Sequence, residues 1–203
     1  MASAKPVIGL IGGIGSGKST VAAAFARHGA RVVSGDEAGH EALRQPEVRA
    51  RVVERWGPGV LDAHGEIDRR RLAERVFPDA AERRALEAMV WPWIGRRLRE
   101  QVEAARADPA VKFVLLDAAV LLEAGWNDVC DWLVYVDAPR AVRLRRLAGQ
   151  RGWSAKEVEA REQAQLSLTD KARRADFALD NSGPPEALAR QVDDLLPRWG
   201  LSP

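Results

Sequence analysis

From Ile8 to Phe25 the chain reads IGLIGGIGSGKSTVAAAF: an apolar run, a crowd of glycines, a lysine, two hydroxyls and an amphipathic stretch. Gly12, Gly17, Lys18 and Ser19 fit the spacing G-x-x-x-x-G-K-[ST], in which bare backbone cradles an anion. Glycine admits positive φ and removes the side chains that would block the anion. The N–H groups then point inward as a nest, and a helix starting near Gly17 adds its positive end. The spacing implies that Gly13, Ile14, Gly15, Ser16, Gly17, Lys18, Ser19 and Thr20 hold the phosphates of a nucleoside triphosphate. Lys18 supplies a point charge to the β- and γ-phosphates, and the Ser19 hydroxyl a ligand for Mg²⁺. Val7, Ile8, Leu10 and Ile11 before the loop, and Val21, Ala22 and Phe25 after it, give the strand and helix that the motif requires.

At 203 residues, 46% of them hydrophobic, the chain can fill one core with insertions. Its 31 basic and 29 acidic residues leave a net charge of +2, no footprint for nucleic acid. Five of the basic residues are lysines, so the rest are arginines, which suit planar, forked recognition of phosphate. Cys130, the lone cysteine, has no disulfide partner and reads as a small residue near a strand. Lys5 and Pro6 lead straight into the first strand, with no leader pattern, and no apolar run reaches the roughly 20 residues needed to span a bilayer. The expectation is a cytoplasmic protein without a membrane, nucleic-acid or obligate protein partner.

Short apolar runs alternate with helical patterns, the signature of an α/β fold with a parallel sheet flanked by helices. Strands are expected at Val7–Ile11, Arg31–Ser34, Lys112–Asp117, Trp132–Val136 and Phe177–Leu179. FVLLD and WLVYVD are apolar at consecutive positions, as in strands covered on both faces. About 75 residues without strand signal follow the second strand and read as a helical insertion, residues 36–107. Residues 140–170 read as a charged helical lid, leaving residues 1–35, 108–139 and 171–203 as the core. A P-loop core with an insertion and a lid is the plan of enzymes that must shut water out of phosphoryl transfer.

In open α/β sheets, ligands gather at the carboxyl ends of strands. Asp36, just past the second strand, either takes the proton of an acceptor hydroxyl or caps the next helix. Asp117 ends the third strand, where a carboxylate orders Mg²⁺, contacts substrate or caps the strand end. Glu123, six residues on, either binds a substrate group or caps a turn. In DRRRLAERVF, Arg69 falls near the centre of the stripe of Leu72, Ala73, Val76 and Phe77. An arginine on a buried face pairs with an anion, here a substrate phosphate or an internal carboxylate. In RAVRLRRLAGQRGW, Ala141, Leu144 and Ala148 share a face, and Arg143 and Arg146 project from the other, as lid cations or as a solvated face.

Taken in order, these segments resemble the dephospho-CoA kinase family over nearly the whole chain. The resemblance rests on GLIGGIGSGKSTVA, Asp36, IDRRRLAERVF, LLDAAVLLEAG, VYVDAP, RLRRL, AREQAQ with Lys171 six residues after Gln165, and ADFALDNSG. It implies a P-loop nucleotide kinase-like fold with a helical acceptor-binding insertion and a helical lid. It also implies ATP-dependent phosphorylation of the ribose 3′-hydroxyl of dephospho-coenzyme A, giving coenzyme A and ADP. Asp36 then matches the catalytic aspartate, Arg69 an arginine of the acceptor-side helical domain, Arg146 the lid helix, and Asn181 the turn beside adenine. The chain departs from the family at Ser34, where a further acid is frequent, at Trp91 before Pro92, where His is common, at Ala119, where proline is usual, and at Gln150, where a lid arginine is frequent.

Other readings are a P-loop kinase for a nucleoside, nucleotide or sugar acid, a GTPase switch, or an ATP-driven motor. Guanine recognition usually uses N-K-x-D, and neither Asn127 nor Asn181 is followed by lysine.

Overall fold

The computed structural model describes residues 5–201. β1 (Val7–Gly12), β2 (Ala30–Ser34), β3 (Phe113–Asp117), β4 (Trp132–Asp137) and β5 (Phe177–Asp180) form one parallel sheet in the order β2-β3-β1-β4-β5. Each strand lies within one residue, at either end, of the run expected from its apolar pattern. β1 is buried along its whole length because β3 and β4 pair with its two edges and helices cover its faces.

By its internal contacts the chain divides into two compact units. One comprises Met1–Ser34 and Gln101–Pro203, the other Gly35–Glu100. The first holds the sheet, α1 (Lys18–Ala26), α6 (Arg140–Arg151), α7 (Ala155–Glu162), α8 (Leu168–Arg174) and α9 (Pro185–Leu195). Its core joins Ile8 and Leu10 of β1, Phe113 and Leu115 of β3, and Val134 and Val136 of β4 to Val21, Ala22 and Phe25 of α1 and Leu188 and Val192 of α9. Phe25 packs edge-on to Phe113, centroids 6.1 Å apart, and 5.6 Å from Trp199. Burying a side chain of this size stabilises by about 1.5–3 kcal/mol.

The second unit contains α2 (Gly35–Arg44), α3 (Pro46–Trp56), α4 (Arg69–Val76) and most of α5 (Ala80–Ala107). The boundary falls within α5, seven residues short of the expected end of the insertion. Its core is smaller: Val48, Val52, Val60, Leu72 and Val76, with Trp56, Leu86 and Met89 packed against them. α4 starts where Asp68 accepts hydrogen bonds from the Arg70 and Arg71 N–H groups. Such a cap stabilises by roughly 1 kcal/mol. No helix among the described residues is long and apolar enough to cross a membrane.

Candidate active site

The loop between β1 and α1 is built as its spacing requires. Gly15 and Gly17 take φ of 77° and 88°, which side-chain-bearing residues rarely adopt. The Ser16 N–H turns back to the Gly13 carbonyl at 3.1 Å, and the Thr20 N–H reaches the Gly17 carbonyl at 2.9 Å to open α1. No side chain caps α1, and its first turn carries no acidic residue. The positive end of a nine-residue helix is therefore offered to an anion. Ser19 and Thr20 are exposed in that first turn. Asp117, at the carboxyl end of β3, is in register with Leu10 of β1 on one side and Ser34 of β2 on the other. Two strands' carboxyl ends thus put a hydroxyl-bearing loop and a carboxylate on the same sheet edge.

The outer face of the loop is gripped by α6 and by the turn after β5. Arg143 Nη1 donates to the Ile14 carbonyl at 3.0 Å and to Glu162 Oε1. Arg146 Nη1 donates to the Ser16 carbonyl at 3.1 Å and its Nη2 to the Asn181 carbonyl at 2.7 Å. Asn181 Nδ2 donates to the Ser16 carbonyl at 2.8 Å. A Cβ on Gly17 would lie 2.2 Å from Asn181 Nδ2, and one on Gly15 2.9 Å from Leu147 of α6. The glycines give clearance outward, to the protein, as well as inward.

This corrects the expected orientation of α6. Arg143 and Leu147 are its buried residues, whereas Ala141 and Ala148 are exposed. The face that meets the loop must satisfy backbone carbonyls, so guanidiniums enter and the alanines turn out. Arg143, 3% exposed, lies inside the protein and not on a solvated face. Its Nη1 is occupied by the loop and by Glu162, so it supports the loop and is no longer assigned to substrate.

Glu123 is also corrected. Its Oε1 accepts from the Leu166 N–H and from Lys171 Nζ, both at 2.9 Å, and Lys171 Nζ donates to Gln165 at 3.0 Å. Lys171 is 2% exposed, so this is an internal ion pair tying the turn after β3 to the end of the lid. Oε1 is thereby engaged inside the protein, and Oε2 is buried without a hydrogen-bond partner among the described residues. Glu162, Lys171 and Gln165 were missed as functional candidates. Glu162 and Lys171 meet Arg143 and Glu123, 19 and 48 residues away, and helical periodicity carries no signal for such pairs, although the Gln165–Lys171 spacing was part of the resemblance.

In the second unit, Asp36 is exposed in the first turn of α2, which starts at Gly35. It therefore stands one turn position inside the helix and not at its cap. Arg69 is exposed too, against the expectation of a buried cation. It is the first residue of α4, and the stripe formed by Leu72 and Val76 is buried only further along. Phe77, at the other end of the expected stripe, is 49% exposed. No ion pair involves Arg69 among the described residues.

At the lid tip, the guanidiniums of Arg151 and Arg161 lie 5.0 and 4.1 Å from the Trp153 ring centre. Burial, and more weakly the charge of Arg151, lowers the Arg161 pKa. Ser154 and Glu157 form a capping box that starts α7. Cys130 has its thiol pushed up to about 12, by burial first and by Asp131 and Asp128 next, so it is inert.

The dephospho-CoA kinase family model matches residues 6–186. A Symbiobacterium thermophilum dephospho-CoA kinase is 42% identical over 193 residues, covering 92% of this chain and 78% of its own. A Geobacillus kaustophilus dephospho-CoA kinase is 38% identical, covering 95% and 96%. A Thermus thermophilus protein of known crystal structure superposes with a TM-score of 0.78 at 36% identity over 97% of this chain and 98% of that one. A Campylobacter jejuni dephospho-CoA kinase, at 20% identity and a TM-score of 0.64 over 96% and 97%, shares the fold. With the phosphate loop intact and the match running nearly end to end, the chain belongs to the dephospho-CoA kinase family, and it is a kinase that uses ATP.

Proposed function

We propose that the chain transfers the γ-phosphoryl group of ATP to the ribose 3′-hydroxyl of dephospho-coenzyme A. The observation that carries this reading is the uncapped start of α1 behind Gly12–Ser19, in a chain whose residues 6–186 match the family. Lys18 places its charge on the β- and γ-phosphates while loop N–H groups hold the β-phosphate. Asp36 accepts the proton of the 3′-hydroxyl as that oxygen bonds to the γ-phosphorus. The bond from phosphorus to the β–γ bridging oxygen breaks, and ADP leaves with that oxygen. Arg69, exposed and unpaired among the described residues, is proposed to hold a phosphate of the acceptor. The roles of Asp36 and Arg69 rest on the sequence resemblance. Asn181 is proposed to border the adenine through the backbone of its turn, its side chain being engaged by the loop. One of Arg143 and Arg146 was expected to reach the transferring phosphate as a lid cation. The contacts of Arg146 with the Ser16 carbonyl of the loop and the Asn181 carbonyl after β5 support a holding role instead.

The residues present fit a nucleotide-borne Mg²⁺, which keeps waters and takes few protein ligands. The exposed Ser19 hydroxyl would hold it, with Asp117 at the adjacent strand end as its second partner. When bound, the ion supplies positive charge to the β- and γ-phosphate oxygens. A cytoplasmic setting, where ATP and Mg²⁺ are supplied, is part of the proposal. The test is ADP release with dephospho-coenzyme A against a panel of nucleosides, nucleotides and sugar acids. Turnover with dephospho-coenzyme A alone is expected, and preference for another acceptor would overturn the reading.

A further inference from the structure

A trans peptide is planar, so the C=O of one residue and the N–H of the next point in opposite directions. In the phosphate loop, the Ile14 carbonyl is drawn outward to Arg143 and the Ser16 carbonyl outward to Arg146 and Asn181. The N–H groups of Gly15 and Gly17 are thereby turned to the inner side, while the intervening Ser16 N–H is taken by Gly13. Which N–H groups face an anion is thus decided from outside the loop. Of the two outer grips, that at Ile14 rests on a single side chain, Arg143, which is 3% exposed and has Glu162 as its ion-pair partner. Arg140 also faces Glu162, 3.8 Å from its Oε2. Glu162 is the last residue of α7, so the ion pair joins the lid to the peptide that orients Gly15.

We propose that Arg143, fixed by Glu162, is a positioning residue for nucleotide phosphate: it acts by turning the Ile14–Gly15 peptide and not by adding positive charge to the site. α7 and the Ile14–Gly15 peptide are then coupled through one guanidinium. A long-range charge effect makes the opposite prediction for Glu162. Deleting a carboxylate near the loop would raise the local positive potential and tighten an anion. Deleting the anchor of Arg143 would loosen the nest and weaken it.

The proposal rests on the loop being the nucleotide site, and its test needs no acceptor. Mg²⁺-ADP is titrated by calorimetry into wild type, Glu162→Gln, Arg143→Lys, Arg143→Met and the double variant Arg143→Met with Glu162→Gln. Each is assayed well below its own melting temperature. Glu162→Gln, the mildest change, is expected to weaken ADP about threefold to tenfold, and Arg143→Met tenfold or more, in line with loss of a charged hydrogen bond. Arg143→Lys keeps the charge on a head of different shape and reach, and is expected to recover only part of the loss. The double variant should match Arg143→Met alone, because Glu162 acts through Arg143. In turnover, the KM for ATP should rise while that for dephospho-coenzyme A stays put. Tighter or unchanged ADP binding in Glu162→Gln, or full rescue by Arg143→Lys, overturns the proposal. So does a lowered melting temperature with unchanged ADP affinity in Arg143→Met. Wild type that binds ADP but does not phosphorylate dephospho-coenzyme A sinks the acceptor assignment and leaves this proposal standing. Wild type that does not bind ADP overturns both.

Discussion

The two units place their charges differently. The buried polar or charged residues among the described ones, Ser16, Arg143, Lys171 and Asn181, all belong to the unit that carries the sheet. Gly35–Glu100 buries none of its charges and ties its arginines at the surface: Arg55 to Glu82 at 2.8 Å, Arg97 to Glu41 at 2.7 Å and Arg70 to Glu74 at 3.6 Å. Buried hydrogen-bonded charges fix one geometry, because any rearrangement leaves a charge unpaired in a poorly solvating interior. Surface pairs contribute little and let side chains move. The phosphate loop is therefore preset, whereas the helical unit keeps its charges at the surface.

The largest effect is expected at the preset loop. Lys18→Ala should lower kcat by about 10³–10⁵, the value of one well-placed cation on a transferring phosphoryl group. The circular dichroism and melting temperature should stay those of wild type. Near-normal turnover would mean that the loop holds its anion without Lys18.

Asp36→Asn should come next and tests the helical unit. Loss of a positioned base costs about 10²–10⁴ in kcat, with ADP affinity unchanged. Because Asp36 sits in the first turn of α2, Asn also loses an interaction with the helix dipole of about 0.3–1 kcal/mol, visible as a small drop in melting temperature. A kcat within about threefold of wild type with that small drop would leave Asp36 a helix residue only.

The phosphate loop and the sheet were the most legible parts of the sequence. Gly12–Ser19 is local and dense in glycine, and the strands around it are uninterrupted apolar runs, so spacing alone placed both. α6 was misread for a physical reason. The helical pattern assumes that the apolar stripe faces inward, but α6 meets a loop whose backbone carbonyls need donors, and it buries Arg143 beside Leu147. The Glu123–Lys171 pair was invisible because its members are 48 residues apart and each, taken alone, looks like a surface charge. Arg69 looked buried because periodicity does not say that α4 begins at Arg69 itself.

Lys171→Met puts a number on the buried side of the comparison. Removing one partner of a buried pair strands the other, at a cost of about 3–5 kcal/mol. Denaturant unfolding should show that loss, and Glu123→Gln with Lys171→Met should recover part of it, since neither side then carries charge. Destabilisation under about 1 kcal/mol, the level of a surface pair, would erase the contrast between the units.

Arg69→Ala should leave stability within about 0.5 kcal/mol, because the side chain is exposed and packs against nothing charged among the described residues. The KM for dephospho-coenzyme A should rise about tenfold, as for a lost charged hydrogen bond, with the KM for ATP unchanged. A rise in the ATP value alone would move Arg69 to the other substrate.

The smallest effect is expected at Glu82, and its pH dependence separates a surface pair from a buried one. Arg55 donates two hydrogen bonds to its carboxylate, 2.9 and 2.8 Å long, and Trp56 Nε1 a third at 2.7 Å. The hydrogen bonds from Arg55 and then Trp56 hold the Glu82 pKa below its ordinary value. A carboxylate with a lowered folded-state pKa stabilises fully above its unfolded pKa and loses that contribution as pH falls through the folded value. Glu82→Gln keeps an acceptor for Trp56 and removes the charge. Its melting temperature should fall slightly below wild type at neutral pH, and the gap should close as the solution is acidified past the ordinary carboxylate range. Salt should close the same gap at neutral pH, because an exposed pair is screened. A gap that persists unchanged in acid and in salt would mean that Glu82 acts by packing against Trp56 and not by its charge, and that the helical unit, too, depends on a fixed polar contact.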